Sequence, residues 1–261
     1  MKNIISFKRY CCGKEKIVLS DMYENCDTGL CELPINVFRL EHKKFGNILF
    51  NTGCSNLISK NPILYAKYKT KHSISFDKND TIISQLNDEG FDALCIKKVI
   101  LTHSDPECCG CLPLLPKYEL LSSAKVLAIL NYGSFSDGVM KSTIPKSNVP
   151  RRAIVPFGEN IFLKDYFKWV YDVLGDGSVL GFDLDGHCEA MMGYFIPEIN
   201  VFIGADSCLT EKAVTENYIP TQKLLDMQAY PDYYIETLEK LKKIHSEHPE
   251  IKMLFSHSEN E

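Results

Sequence analysis

The feature that most constrains this sequence is a series of five short apolar runs, each followed at once by polar residues. The runs are rich in aliphatic, β-branched and aromatic side chains, and runs of this length predict buried strands. Residues that follow the ends of several strands are a recurrent source of rigid pockets. The runs cover residues 47–50, 98–102, 178–182, 200–203 and 251–255.

Helical patterns separate these runs. Asp80 is a suitable N-cap for a helix over 81–89, which Gly90 would end. A second helix is predicted over 231–246, where apolar residues recur at helical spacing opposite Glu and Lys. Alternating strands and helices predict a layered α/β fold. A chain of this length fits one large domain, and we expect a single domain over residues 1–261.

The composition argues against several classes of function. The sequence has 29 Lys and Arg against 34 Asp and Glu, a net charge of −5, so it lacks the basic surface of nucleic-acid-binding or membrane-binding proteins. No apolar stretch approaches the roughly 20 residues that span a bilayer, and the first residues do not resemble a secretory signal. We therefore expect a cytoplasmic protein that acts on a small-molecule substrate, with a homodimer as one candidate assembly.

The eleven cysteines are an odd and high number for such a chain. A disulfide scaffold is therefore not expected, and reduced thiols, some of them metal ligands, fit better. Cys11, Cys12, Cys26 and Cys31 match no standard zinc spacing. We interpret them as buried thiols rather than as a zinc knuckle.

The residues after the second run carry the strongest chemical signal. His103, Asp105, Glu107 and Cys108 lie within six residues, and each has a side chain that binds divalent metals. Three later runs also end near residues of this kind, which are His187, Asp206 and His257. Together these residues predict a metal site built from several strand ends.

The order and spacing of these residues resemble the metallo-β-lactamase superfamily, with the N-acyl homoserine lactonases as the nearest branch. The family motif, Thr-His-x-His-x-Asp-His-x-Gly after a strand, aligns with residues 102–110. Its Gly-His ligand aligns with His187, its bridging Asp with Asp206 and its last His with His257. The resemblance implies a four-layered αββα sandwich, in which two mixed β-sheets are flanked by helices.

Four positions depart from the family pattern. Asp105 and Cys108 stand where the family has His, and Glu107 stands where it has Asp. Asn51 replaces the Asp of an upstream Asp-Thr-Gly turn. Each replacement within the metal motif can itself bind a metal, which favours a retuned site over a lost one.

The resemblance implies two metal positions that share a bridging carboxylate, Asp206. The first would use His103, Asp105 and His187. The second would use Glu107, Cys108 and His257. We expect one or two divalent ions: the thiolate favours zinc, the expected metal, whereas the carboxylates favour iron or manganese as alternatives. A further alternative is a single ion, with Glu107 kept as a general base.

A metal-dependent hydrolase is the expected function, with catalytic roles for Glu107 and Asp206. Its water would attack a small ester, lactone, thioester or amide. One alternative is a catalytically impaired protein of the same fold that binds metal or a small ligand. Another is a di-iron redox protein.

Other side chains give weaker signals. The lactonase branch has a Tyr three residues after its bridging Asp, where this chain has Leu209. Tyr194, Tyr218 and Ser207 remain open as substitute hydroxyl donors. The remaining histidines lie in charged stretches and are expected to be solvated. They are His42, His72, His245 and His248.

Overall fold

The structure is a computed structural model of the chain, and it describes residues 2–26, 29–145, 148–157 and 163–259. Within these ranges the strands, in chain order, are β1 (Ile4–Val18), β2 (Tyr23–Glu24), β3 (Leu30–His42), β4 (Gly46–Phe50), β5 (Ile74–Ser75), β6 (Ile96–Ile100), β7 (Glu119–Ser123), β8 (Arg151–Ile154), β9 (Tyr171–Asp172), β10 (Leu180–Asp183), β11 (Met192–Ile196), β12 (Val201–Ile203), β13 (Ile219–Pro220) and β14 (Lys252–Leu254). The helices are α1 (Leu19–Met22), α2 (Pro62–Tyr68), α3 (Ile82–Asp88), α4 (Pro106–Cys109), α5 (Ala124–Tyr132), α6 (Lys212–Thr215), α7 (Gln222–Leu225) and α8 (Pro231–Glu247).

The chain divides into two compact units. The first comprises Met1–Lys16 and Glu32–Ala153, and the second comprises Ile17–Cys31 and Ile154–Glu261. Helices α2 to α5 belong to the first unit, and α1 and α6 to α8 belong to the second. The single domain over residues 1–261 stays a prediction.

The first unit is built on a mixed sheet of seven strands in the order β5, β1, β3, β4, β6, β7, β8. β3 pairs with β4 antiparallel, whereas β4, β6 and β7 run parallel. Phe50 and Ile100 are register partners, so the chain leaves β4 and β6 at the same edge of the sheet. Val99 and Ile100 point to opposite faces of β6, and both are fully buried, as is typical of parallel strands.

The second unit is built on a mixed sheet of five strands in the order β14, β12, β11, β10, β9. β12 and β14 are parallel, with Ile203 opposite Leu254, and the other neighbouring pairs are antiparallel. Residues that follow β12 and β14 therefore emerge at one edge, where Ser256 N donates to Ala205 O at 3.0 Å. The five predicted runs correspond to β4, β6, β10, β12 and β14. The α/β fold with two mixed sheets and flanking helices is confirmed.

The two predicted helices are present, with one correction at a terminus. α3 is capped by Thr81, whose Oγ1 accepts a hydrogen bond from Ser84 N at 3.2 Å. Asp80 is not the cap, because its carboxylate accepts from Asp77 N at 2.7 Å in the preceding turn. α8 extends one residue beyond the predicted helix over 231–246. Among the residues that the structure describes, no helix has both the length and the apolar character needed to cross a membrane.

The expected burial of the N-terminal cysteines is correct only for Cys12. Consecutive residues of a strand face opposite sides, so on β1 Cys12 is buried and Cys11 is exposed. Cys26 and Cys31 are half-buried. The expectation that His42 is solvated is wrong: His42 is buried, and its Nδ1 accepts hydrogen bonds from the backbone at 3.1 and 3.2 Å in the turn between β3 and β4.

Candidate metal-binding groups

In the first unit, the chain between β6 and α4 brings three of the predicted ligands together. Pro106 suits the first position of α4 because that position needs no backbone donor. The turn places Asp105 Oδ2 at 3.5 Å from His103 Nε2. Cys108 Sγ lies 3.8 Å from each nitrogen of the His103 ring. A separation of 3.5 Å between the Asp105 oxygen and the His103 nitrogen suits two ligands of one ion, since metal–ligand bonds are about 2.0–2.3 Å long.

The His103 ring is oriented by a chain of two hydrogen-bonding side chains. Asn51 Oδ1 accepts from both the backbone N and the Oγ1 of Thr102, each at 3.0 Å. The Thr102 hydroxyl therefore donates to Asn51 and accepts from His103 Nδ1, which lies 2.9 Å away. This leaves the Nε2 lone pair of His103 on the side of Asp105, as metal binding requires.

Helix α4 is held in place by the turn after β4. The backbone N and Oγ1 of Thr52 both donate to Cys108 O, at 2.8 and 3.0 Å. Gly110 ends the helix against the same turn: a Cβ atom added there would lie 2.4 Å from Gly53 O. Only a glycine allows this approach, so the position of Cys108 depends on backbone contact with the turn.

Glu107 has a separate environment, which the sequence did not reveal. Tyr68 Oη donates to Glu107 Oε2 at 2.5 Å, and both residues are buried. Burial, and then the Glu107 charge, raise the pKa of Tyr68 well above its ordinary value, so the phenol stays the donor. The Tyr68 ring stacks on His72, with ring centroids 4.7 Å apart, and His72 Nδ1 lies 3.2 Å from Glu15 Oε1.

His72 is therefore only partly exposed and not solvated as expected, with 21% of its side chain accessible. Burial alone lowers its pKa, but the hydrogen bond to Glu15 and the charges of Glu107, Glu15 and Asp105 raise it to about 9. His72 is thus a cation at neutral pH. It adds positive charge near a ligand group that is rich in carboxylates.

In the second unit, Asp206 lies between two histidines. Its Oδ2 is 4.0 Å from His187 Nε2, and its Oδ1 is 3.7 Å from His257 Nε2. Asp206 and His257 are buried, and they follow the paired ends of β12 and β14. Each carboxylate oxygen thus has its own imidazole neighbour.

His187 is placed by a turn that requires glycine. Gly186 has a φ of +124°, and a Cβ atom there would lie 2.3 Å from the backbone of Tyr234 in α8. The backbone N of Tyr230 donates to Gly186 O at 2.9 Å, and that of Ala229 donates to His187 O at 3.1 Å. Gln228, which the sequence did not reveal as functional, contacts the His187 ring.

In the first unit the structure thus places Asp105 and Cys108 beside the His103 ring. In the second unit it places His187 and His257 on either oxygen of Asp206. Glu107 follows Asp105 closely in sequence but is hydrogen-bonded to Tyr68. The assignment of these residues to two shared metal positions stays a prediction.

Comparisons with known proteins match the fold but not the sequence. No protein-family model and no curated protein matches the chain. Solved structures match its fold. One is an N-acyl homoserine lactone hydrolase with the product N-hexanoyl-L-homoserine bound at its catalytic metal centre, at 15% identity and a TM-score of 0.73, covering 99% of this chain and 95% of that one.

Two further matches come from the same comparison. A probable metal-dependent hydrolase from Staphylococcus aureus matches at 13% identity and a TM-score of 0.69, covering 100% of this chain and 92% of that one. The hydrolase AbOPH of the β-lactamase superfamily matches at 12% identity and a TM-score of 0.63, covering 98% and 89%. The chain has the metallo-β-lactamase fold.

In this metallo-β-lactamase fold, the three substitute hydroxyl donors are committed or enclosed. Tyr218 Oη donates to Glu216 Oε2 at 2.8 Å, and Ser207 Oγ donates to Gly204 O at 2.7 Å. Tyr194 is fully buried on β11. The structure therefore favours none of them as a donor to substrate.

A cavity of 890 Å³ in the first unit does not adjoin the candidate ligands. It is lined by Leu112, Pro113, Tyr118 and neighbouring residues, together with Lys97 and Glu119. Lys97 lies near the amino end of β6, and Glu119 begins β7. His103 follows the carboxyl end of β6, so this cavity opens at the other end of the strand.

Proposed function

We propose that the chain is a metal-dependent hydrolase that binds one or two divalent ions through the predicted ligands. The single observation that carries the proposal is Asp206, whose two oxygens each lie within 4.0 Å of a different imidazole Nε2. His103, which has Asp105 and Cys108 beside its ring, supports it with three ligand types. The fold neighbour described as an N-acyl homoserine lactone hydrolase with a catalytic metal centre supports it further.

The donor set is compatible with such ions. Imidazole, carboxylate and thiolate all bind zinc, which is the expected metal, and the carboxylates also accept iron or manganese. A bound divalent ion would supply positive charge that lowers the pKa of water and polarises the carbonyl of an ester, lactone, thioester or amide.

The residues of this chain would supply position and proton transfer. Asp206 would orient the ions and the attacking water through its two oxygens. The Thr102 contact presents His103 through Nε2, and Glu107 is the candidate proton acceptor because it is a buried carboxylate beside the ligand group. Burial excludes bulk water, which strengthens each of these interactions.

The decisive experiment is metal content followed by activity. Protein purified without added metal should contain one or two equivalents of divalent ion by elemental analysis, and it should hydrolyse at least one ester, lactone or thioester from a small panel. A chelator should abolish that hydrolysis, and zinc should restore it. Well-folded protein that never takes up metal would contradict the proposal.

A matched pair of variants tests the role of Asp206. Asp206→Ala should lose both metal and hydrolysis, because the carboxylate would no longer link the two imidazoles. Asp185→Ala removes an exposed carboxylate two residues before His187 and should leave both unchanged. If the wild-type protein binds metal but hydrolyses no substrate, that result would instead favour the non-catalytic alternative. Iron content with an absorbance that dithionite changes would favour the di-iron redox alternative.

A further inference from the structure

The hydrogen bond between Tyr68 and Glu107 joins the end of a helix to the predicted metal motif. Tyr68 is the last residue of α2, and Glu107 is the second residue of α4. Tyr68 is 6% exposed and Glu107 is 4% exposed. A buried carboxylate needs a donor, and here a neutral phenol supplies one at 2.5 Å.

Tyr68 is held in place at the end of α2 by backbone hydrogen bonds and by one ring contact. Asn61 caps α2 by accepting from the backbone of Ile63 and Leu64 at 3.2 and 3.1 Å. The backbone N of His72 donates to Tyr68 O at 3.1 Å. The His72 ring stacks on the Tyr68 ring at an interplanar angle of 20°. These contacts fix the direction in which the phenol oxygen reaches Glu107.

We propose that Tyr68 is a positioning residue that orients the Glu107 carboxylate for its role in the metal-dependent hydrolase. This inference rests on the proposed function. By donating to Oε2, the phenol restricts the rotation of the carboxylate and so sets its plane. The phenol is neutral, so unlike an arginine or lysine in the same place it adds no positive charge beside the carboxylate.

The test compares Tyr68→Phe with Tyr65→Phe. Both changes remove one phenol oxygen from α2, but Tyr65 is only partly buried and packs against the neighbouring apolar cluster. Tyr68→Phe should weaken zinc binding by about 10- to 100-fold in competition with a chromogenic chelator, and at saturating zinc it should lower kcat with KM unchanged. Tyr65→Phe should leave all three values unchanged.

A double-mutant cycle with Glu107→Gln shows whether Tyr68 acts through Glu107. In the Glu107→Gln background, Tyr68→Phe should have little further effect on zinc affinity. Equal effects in both backgrounds, or an unchanged affinity in Tyr68→Phe, would overturn the inference while leaving the proposed function intact. A wild-type protein that binds no zinc would overturn both.

A second measurement, the rise in Tm with zinc concentration, covers the case in which Tyr68→Phe lowers the stability of the protein. The rise in Tm with zinc concentration depends on zinc affinity of the folded form, so it can be compared between variants of different stability. A smaller zinc-dependent rise for Tyr68→Phe than for wild type supports the inference. The same rise in both proteins contradicts it.

Discussion

Gln228 Oε1 lies 3.0 Å from His187 Nδ1, and this contact determines which nitrogen of the imidazole is available. The Gln228 amide nitrogen donates to Leu224 O at 2.8 Å, so the amide oxygen faces the ring and must accept. His187 therefore carries its proton on Nδ1 and presents the lone pair of Nε2 towards Asp206. Outer hydrogen bonds of this kind orient metal-binding histidines and raise their basicity.

Replacing Gln228 by Leu should weaken zinc binding by about 10- to 100-fold, because the Nδ1 proton of His187 loses its acceptor. Gln228→Glu keeps an acceptor and should retain zinc affinity. Competition with a chromogenic chelator measures the zinc affinity of both variants. Gln222→Leu, an exposed position on α7, is the matched control and should not change affinity. Equal affinity in Gln228→Leu and wild type would show that the contact has no role in binding.

In the first unit, Thr102 should orient His103 for zinc binding as Gln228 orients His187. Thr102→Val removes the hydroxyl that links Asn51 to His103, so we expect a loss of about 1 kcal/mol in the free energy of unfolding and about tenfold weaker zinc binding. Urea denaturation measures the first quantity and chelator competition the second.

Thr143→Val provides the control for that prediction. Thr143 is also buried, and its hydroxyl donates to Met140 O at 2.9 Å. The Thr143→Val protein should therefore lose a similar amount of free energy of unfolding, without any change in zinc affinity. If both variants change zinc affinity equally, the effect of Thr102 comes from general destabilisation.

The sequence predicts the strands well because a buried strand is a local pattern. The run over 98–102 corresponds to β6, although the strand itself is Ile96–Ile100. The sequence predicts the ends of strands less well. Leu101 N, for example, still donates to Leu121 O after the regular pairing of β6 with β7 stops. The cap of α3 was predicted one residue early, since Asp80 and Thr81 are both suitable caps and only the tertiary turn distinguishes them.

The residues that orient the candidate ligands could not be predicted in the same way. Tyr68 is 39 residues from Glu107 in sequence, and Gln228 is 41 residues from His187. Nothing in the local pattern around Tyr68 separates it from a tyrosine that packs an ordinary helix. His72 was misjudged for the same reason: charged neighbours in sequence suggest solvent, whereas its neighbours in space are Tyr68 and Glu15.

The contact between His72 and Glu15 should make stability depend on pH. The folded pKa of His72 is raised to about 9, so its contribution is complete below its ordinary pKa and is lost as pH rises through the folded value. In metal-free protein, His72→Gln should cost on the order of 2 kcal/mol near about pH 6 and close to nothing near about pH 10. Urea denaturation at both values measures this.

His245→Gln, on α8, is the control for His72. His245 is half-exposed, so its replacement should change the free energy of unfolding little at either pH. A cost for His72→Gln that stays constant between the two pH values would mean that the residue stabilises the protein through packing on Tyr68 and not through its charge.

Gly110 tests whether the backbone approach of α4 to the turn after β4 matters for stability and for metal binding. An added Cβ would lie 2.4 Å from Gly53 O and 2.9 Å from Ser55 N, and backbone atoms cannot yield as a flexible side chain can. Gly110→Ala should therefore lower the free energy of unfolding by about 2 kcal/mol and weaken zinc binding, since Cys108 moves with the helix. Gly29→Ala, where a Cβ meets nothing within 4 Å, should change neither value. If the Gly110→Ala protein is as stable as the Gly29→Ala protein, α4 can shift away from the turn at little cost. The zinc affinity of the Gly110→Ala protein would then show whether Cys108 still binds after that shift.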